Sequence, residues 1–204
     1  MKNKSVLFSI ISGFFVLLPI LVANRLYVDD IGRTTHGYLS WDDNGRPLTS
    51  LIMKLVTTSS SMIDVSPLPQ LLGMIVFCAV IDFTAKRLGV DSGLNRITIV
   101  AATVSTPIIF ENLSYKFDAL TMLLSASTFM VAPLITIRRK IYDVVVKSLL
   151  IVAGLSMYQA NMPFYVISSI CFFISLQKIS TQTSINETIK NIISLLIGYF
   201  IYSA

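Results

Sequence analysis

Residues 6–23 read VLFSIISGFFVLLPILVA, an uninterrupted apolar stretch behind Lys2 and Lys4. A helix needs about 20 such residues to cross the hydrocarbon core, because lipid leaves every backbone N–H and C=O to be satisfied within the helix. The run is long for the apolar core of a secretory leader, and only Leu21 to Ala23 hints at a cleavage site, so it reads as a retained span. Six further apolar runs follow at about 67–83, 97–110, 119–137, 144–157, 162–176 and 191–204. They predict an all-α, polytopic transmembrane helical bundle of about seven spans. Residues 1–204 form a single transmembrane domain, with an outer loop and interfacial helix over 24–66.

Composition points the same way. Apolar residues make up 54% of the 204-residue chain and charged residues only 13%, against roughly 25% charged in soluble domains. With a mean hydropathy of +0.74, this excludes a soluble domain, a disordered tail, a disulfide scaffold and a collagen-like fibre. The net charge of +5 sits between apolar runs, so it reads as membrane orientation and not as a nucleic-acid surface. With the N-terminus inside, the inner side takes Lys2, Lys4, Lys86, Arg87, Arg96, Arg138, Arg139, Lys140, Lys147, Lys178 and Lys190, which is 11 of the 16 basic residues. The outer side takes 7 of the 11 acids: Asp29, Asp30, Asp42, Asp43, Asp64, Glu111 and Asp118. Both biases predict a multi-pass membrane protein with a cytoplasmic N-terminus.

Soluble-enzyme chemistry has no foothold. Cys78 and Cys171 lie inside apolar runs and read as small packing residues. A lone His36 is a weak metal ligand, and no phosphate loop, HExxH or GxSxG motif is present. No metal and no cofactor are expected.

The polar residues of the outer side carry the functional signal. The first loop runs Asn24-Arg25-Leu26-Tyr27-Val28-Asp29-Asp30-Ile31-Gly32-Arg33, then Gly37-Tyr38, Trp41 and Asp42-Asp43-Asn44-Gly45-Arg46-Pro47-Leu48. Adjacent carboxylates just past a span can take a proton from a sugar hydroxyl. Arg33 and Arg46 can hold a phosphate by paired hydrogen bonds, and Tyr38 and Trp41 can stack on a sugar. Asp42-Asp43-Asn44-Gly45 reads as turn chemistry instead. Leu51, Ile52, Leu55 and Val56 recur at helical spacing around Lys54, which predicts a helix lying in the interface, as a lid or a plain connector. A second outer cluster, Glu111-Asn112-Leu113-Ser114-Tyr115-Lys116-Phe117-Asp118, offers Lys116 for a phosphate and Glu111 or Asp118 to orient it. A third, Tyr158-Gln159-Ala160-Asn161, can hydrogen-bond a sugar. Ser184 with Glu187 has the form of a capping box.

These three clusters, in this order from Tyr27 to Ala160, resemble the motifs of the glucosyltransferase II family, the membrane glucosyltransferases of bacterial O-antigen modification clusters. The third is Leu155-Ser156-Met157-Tyr158-Gln159-Ala160. The resemblance implies a GT-C-like fold. It also implies transfer of glucose from a polyprenyl-phosphate-glucose donor to the O-antigen polysaccharide of lipopolysaccharide at the periplasmic face of the bacterial inner membrane. It places the catalytic base in the first outer loop, at Asp29 or Asp30. Substrate-binding roles then fall to Arg33, Tyr38, Trp41, Arg46, Glu111, Lys116, Asp118, Tyr158 and Gln159. Family members are longer, so the chain resembles their N-terminal portion, and an inactive transferase remnant stands as an alternative. The rival from another class is a transporter or lipid-linked sugar flippase, which needs ionisable groups in span interiors. The sequence gathers its polar residues on one face instead.

Overall fold

The computed structural model describes the backbone of residues 2–204 and the side chains from Ser5 onward, so the expected anchors Lys2 and Lys4 lie outside the described side chains. Ten helices follow in order: α1 (Lys2–Ala23), α2 (Val28–His36), α3 (Pro47–Thr57), α4 (Leu68–Arg87), α5 (Gly93–Val104), α6 (Pro107–Ser114), α7 (Ala119–Val131), α8 (Lys140–Met157), α9 (Met162–Gln177) and α10 (Thr181–Ser203). Single 3-10 turns occupy Asp42–Asn44, Ala132–Leu134 and Gln159–Asn161. No strand occurs among the described residues.

Each of the seven apolar runs carries helix, but among the described residues only three stretches are long and apolar enough to cross a membrane: Ser5–Ala23, Leu68–Arg87 and Gln159–Gln177. A fourth is α5 with α6 if that pair counts as one span, although it bends by 62°. The break lies before Pro107, where Thr106 is extended (φ −75°, ψ 146°), because proline crowds a helical residue before it. The run at 119–137 is shortened by Pro133, which sits in the 3-10 turn after α7. Helix α8 begins at Lys140 and includes Asp143 and Lys147. Helix α10 starts at Thr181, one turn before the expected capping box. Its N-cap is Ser180, while Ser184 lies inside the helix and donates to the Phe173 carbonyl at 2.9 Å.

Helices α1, α4 and α5 pack together, α4 packs on α7, and α7 leads to α8, α9 and α10. The main core joins Leu17 of α1 to Met74, Phe77, Cys78 and Ile81 of α4 and to Leu123 and Ala126 of α7. Cys78 is buried there beside Met74, as a packing residue would be. A second core joins Phe129, Ile151, Leu155 and Tyr165. A third, small cluster of Leu39, Trp41, Met53 and Phe117 underlies the first outer loop.

Charge also enters the bundle, contrary to the expected uncharged span interiors. Lys147 and Lys190 sit inside helices and not in an inner loop. Asp143 and Lys147 are fully buried, and Lys147 Nζ lies 3.3 Å from both Asp143 and Glu187. Lys190 Nζ lies 3.0 Å from Asp143 and 2.5 Å from Glu187. Two acids and two lysines thus neutralise one another between α8 and α10. Arg96 pairs with buried Asp82 at 3.1 Å, and Ser5 donates to the same carboxylate oxygen at 2.6 Å.

Candidate functional site

The short helix α2 is amphipathic in an inverted sense. Its buried residues are Asp30 and Arg33, three positions apart and so on one face. Val28 (75% exposed) and Ile31 (53%) point away from the protein, the arrangement suited to an apolar interface. Adjacent residues on a helix point about 100° apart, so Asp29 is exposed while Asp30 is sealed in. Asp30 Oδ2 accepts from the Tyr27 backbone N–H at 3.1 Å and from the Lys116 backbone N–H at 2.9 Å. The carboxylate therefore caps its own helix and ties the first outer motif to the second. Burial raises its pKa above the ordinary carboxylate value, against the lowering by these N–H donors.

Asp118 is the centre of the site. It is 2% exposed, and its Oδ1 accepts from Trp41 Nε1 and from Arg46 Nη1, each at 2.7 Å. Arg33 Nε lies 3.7 Å from its Oδ2, and the Arg33 guanidinium stacks 3.9 Å from the Trp41 ring centroid and 5.5 Å from that of Tyr38. Arg33 also donates to the Leu39 carbonyl. The backbone makes this convergence possible. Trp41 O accepts from the N–H groups of Asn44 and Arg46 at 3.1 and 2.9 Å, and Gly45 closes the turn at φ +69°, a conformation open to glycine at little cost. Asp42 and Asp43 remain exposed on that turn.

The third motif joins from the end of α8. Arg46 Nε and the Thr49 hydroxyl donate to the Met157 carbonyl at 2.6 and 2.9 Å. The Arg46 guanidinium lies 4.9 Å over the Tyr158 ring. Gln159 Nε2 donates to the carbonyls of Asn44 and Gly45 at 3.3 and 3.2 Å.

Asp30, Arg33, Trp41, Arg46, Lys116, Asp118, Tyr158 and Gln159 are thus one contiguous network. Trp41 is fully buried, which leaves its ring no open face for a sugar; the indole is used by Asp118 and Arg33. Asp29, Tyr38 and Glu111 sit exposed at the rim. Burial pushes the Tyr115 phenol up to about 12, with the Tyr27, Asp29 and Glu111 charges adding to the rise. Burial likewise raises Tyr158, against Arg46 and with Glu111, Asp118 and Asp29. The two exposed carboxylates therefore act on the same pair of tyrosines. Tyr115 itself packs on Tyr27, ring centroids 4.3 Å apart.

Beside this network lies a polar chamber of about 300 Å³ whose walls include Asn24, Arg25, Asp64, Ser66, Gln70 and Lys116. Lys116 Nζ is 3.7 Å from Asp64. A second hollow of about 310 Å³ shares Ile20, Arg25 and Ser114 with it and is otherwise walled by Pro19, Ala23, Leu26, Tyr27 and Phe110. Sequence reasoning did not assign Arg25, Asp64 or Gln70 to a site. Gln70 was the available signal, a polar side chain in the first turn of an apolar run. Among the described residues no three His, Cys, Asp or Glu side chains converge as a metal site would require.

Residues 18–204 match the family described as Glucosyl transferase GtrII. The chain belongs to the GtrII glucosyl transferase family. A Salmonella phage P22 protein described as "Uncharacterized 55.3 kDa protein in gtrB 5'region" is 31% identical over 206 residues, covering 99% of this chain and 42% of the relative. The chain thus spans less than half the length of that phage protein. No solved structure matches this chain.

Proposed function

We propose that this chain forms the catalytic face of a glycosyltransferase that moves glucose from a polyprenyl phosphate carrier to a sugar of the O-antigen. The reaction takes place at the periplasmic side of the inner membrane, in a GT-C-like bundle of about seven spans with a cytoplasmic N-terminus. The observation that carries the reading is the two-part hollow beside Lys116. A polar chamber bearing Arg25 and Lys116 continues into an apolar hollow along the end of α1, the shape of a phosphate with a lipid tail. Family membership supplies the glucosyl group.

In this reading the acceptor hydroxyl oxygen attacks the anomeric carbon of glucose and passes its proton to Asp29, the exposed member of the pair. The bond from that carbon to the phosphate oxygen breaks, and its electron pair leaves with the phosphate. Arg25 and Lys116 stabilise the departing anion. Among the described residues Lys116 has only Asp64, at 3.7 Å, as a charged partner, so an arriving phosphate can share it. Asp30 positions Lys116 through its backbone N–H. Arg33, Arg46 and Trp41 shape the site through Asp118, while Glu111, Tyr38, Tyr158 and Gln159 line the acceptor side. No metal is required, because a lipid phosphate leaves as a stable anion.

Photo-crosslinking with a polyprenyl phosphate probe in native membranes tests this. Labelling should map to residues 19–27 and 110–116 and fall at least about tenfold in the Arg25→Ala/Lys116→Ala variant, the loss of two charge-assisted contacts. Undiminished labelling of that variant would contradict the phosphate assignment.

A further inference from the structure

The turn that presents Trp41 and Arg46 to Asp118 is gripped from outside by a residue of α10. The Tyr202 hydroxyl donates to the Gly45 carbonyl at 2.7 Å and receives Gln159 Nε2 at 2.5 Å. A side chain at position 45 would collide with this grip, since a Cβ there would stand 2.6 Å from Tyr202 Oη.

Tyr202 can act as a fixed point because α10 is held along its length. Ser148 and Ser194 each donate across the α8–α10 contact, at 3.2 and 3.4 Å. A Cβ on Gly198 would come within 2.8 Å of Ile151, so the two backbones are as close as glycine allows. At the remote end Glu187 and Lys190 are pinned by Asp143 and Lys147. Segment 37–46, by contrast, is almost free of regular helix.

We propose that Tyr202 is a positioning residue: its hydroxyl latches the Gly45 carbonyl and so sets the depth at which Arg46 and Trp41 meet Asp118. The geometric claim stands alone, and its consequence for transfer rests on the function proposed above.

Trp41 is the single tryptophan in the chain, so its fluorescence reports on the turn without any assay of transfer. The experiment compares the intact chain in detergent with Tyr202→Phe, which deletes one oxygen, and with Tyr199→Phe, whose exposed ring lies on the same helix. In Tyr202→Phe, emission should move to the red and the acrylamide quenching constant should rise at least about twofold, as a locally opened turn requires. The Tyr199→Phe signal should match the parent. Parent-like emission and quenching in Tyr202→Phe would overturn the proposal. If that variant lacks the parent's helical circular dichroism, Gly45→Ala attacks the same contact from the turn. It should give the same shift, and a parent-like signal from it would equally overturn the latch. A shifted signal with unchanged glucosyl transfer would leave the latch standing and count against the transfer mechanism alone.

Discussion

The indole Nε1 of Trp41 donates to Oδ1 of Asp118 at 2.7 Å across 77 residues of sequence, and the same oxygen takes Arg46 at 2.7 Å. One buried carboxylate thereby fixes the first outer loop against the second motif. Two arginines flank it, 4% and 8% exposed.

Removing that carboxylate strands both cations. Asp118→Ala should destabilise the chain by about 3–5 kcal/mol, the usual cost of breaking a buried pair by deleting one partner. Chemical unfolding in detergent measures it. A loss under about 1 kcal/mol, as for exposed pairs, would show that the network is open to water.

The charge cluster between α8 and α10 should respond to balance more than to size. Lys147→Met leaves Asp143 and Glu187 facing each other with only Lys190 between them, a loss again of about 3–5 kcal/mol. Adding Glu187→Gln should restore part of it, because the contacting pair couples. Strictly additive losses in the thermal midpoint would count against a shared cluster.

Asp30 gives a pH dependence with a definite sign. Its folded pKa lies above the ordinary 3.8 because burial disfavours the charged form. The folded chain therefore holds the proton more tightly than the unfolded one, and the stability this contributes is complete below 3.8 and lost as pH rises through the folded value. The stability difference between the parent and Asp30→Asn should thus shift against the parent as pH climbs from below 3.8 toward neutrality. Unfolding in detergent across that range checks it; a difference independent of pH, or one growing in the parent's favour, contradicts the burial of a titrating group.

Much of this architecture was legible in the apolar runs, because a continuous 18-residue stretch such as Val6–Ala23 has few alternatives to helix. Pro107 and Pro133 lie inside runs read as continuous, and the structure breaks or shortens the helices there. The three polar clusters were legible as a group, since they resemble motifs of one family, and the fold brings them into contact. Their internal division of labour was not. Asp29 and Asp30 are neighbours in sequence, and only the phase of α2 decides which one faces inward; with just Val28 and Ile31 as apolar markers, that phase could not be read. Trp41 looked like an interfacial or sugar-stacking ring, but a carboxylate 77 residues away accepts its N–H. Lys147 resembled an inner anchor for the same reason: the acid that accompanies it from another helix, Glu187, is 40 positions distant. Tyr202 gave no signal at all, because its partner is a backbone carbonyl.

The most direct measurement is glucosyl transfer from polyprenyl phosphate glucose by membranes carrying Asp29→Asn, Asp30→Asn or both. Loss of the base in Asp29→Asn should lower turnover about 10²–10⁴-fold with little change in apparent donor affinity. Asp30→Asn should act chiefly by weakening donor binding, through the Lys116 it positions. Parent-level transfer by Asp29→Asn and by the double variant would contradict the assignment of an aspartate base in the first outer loop.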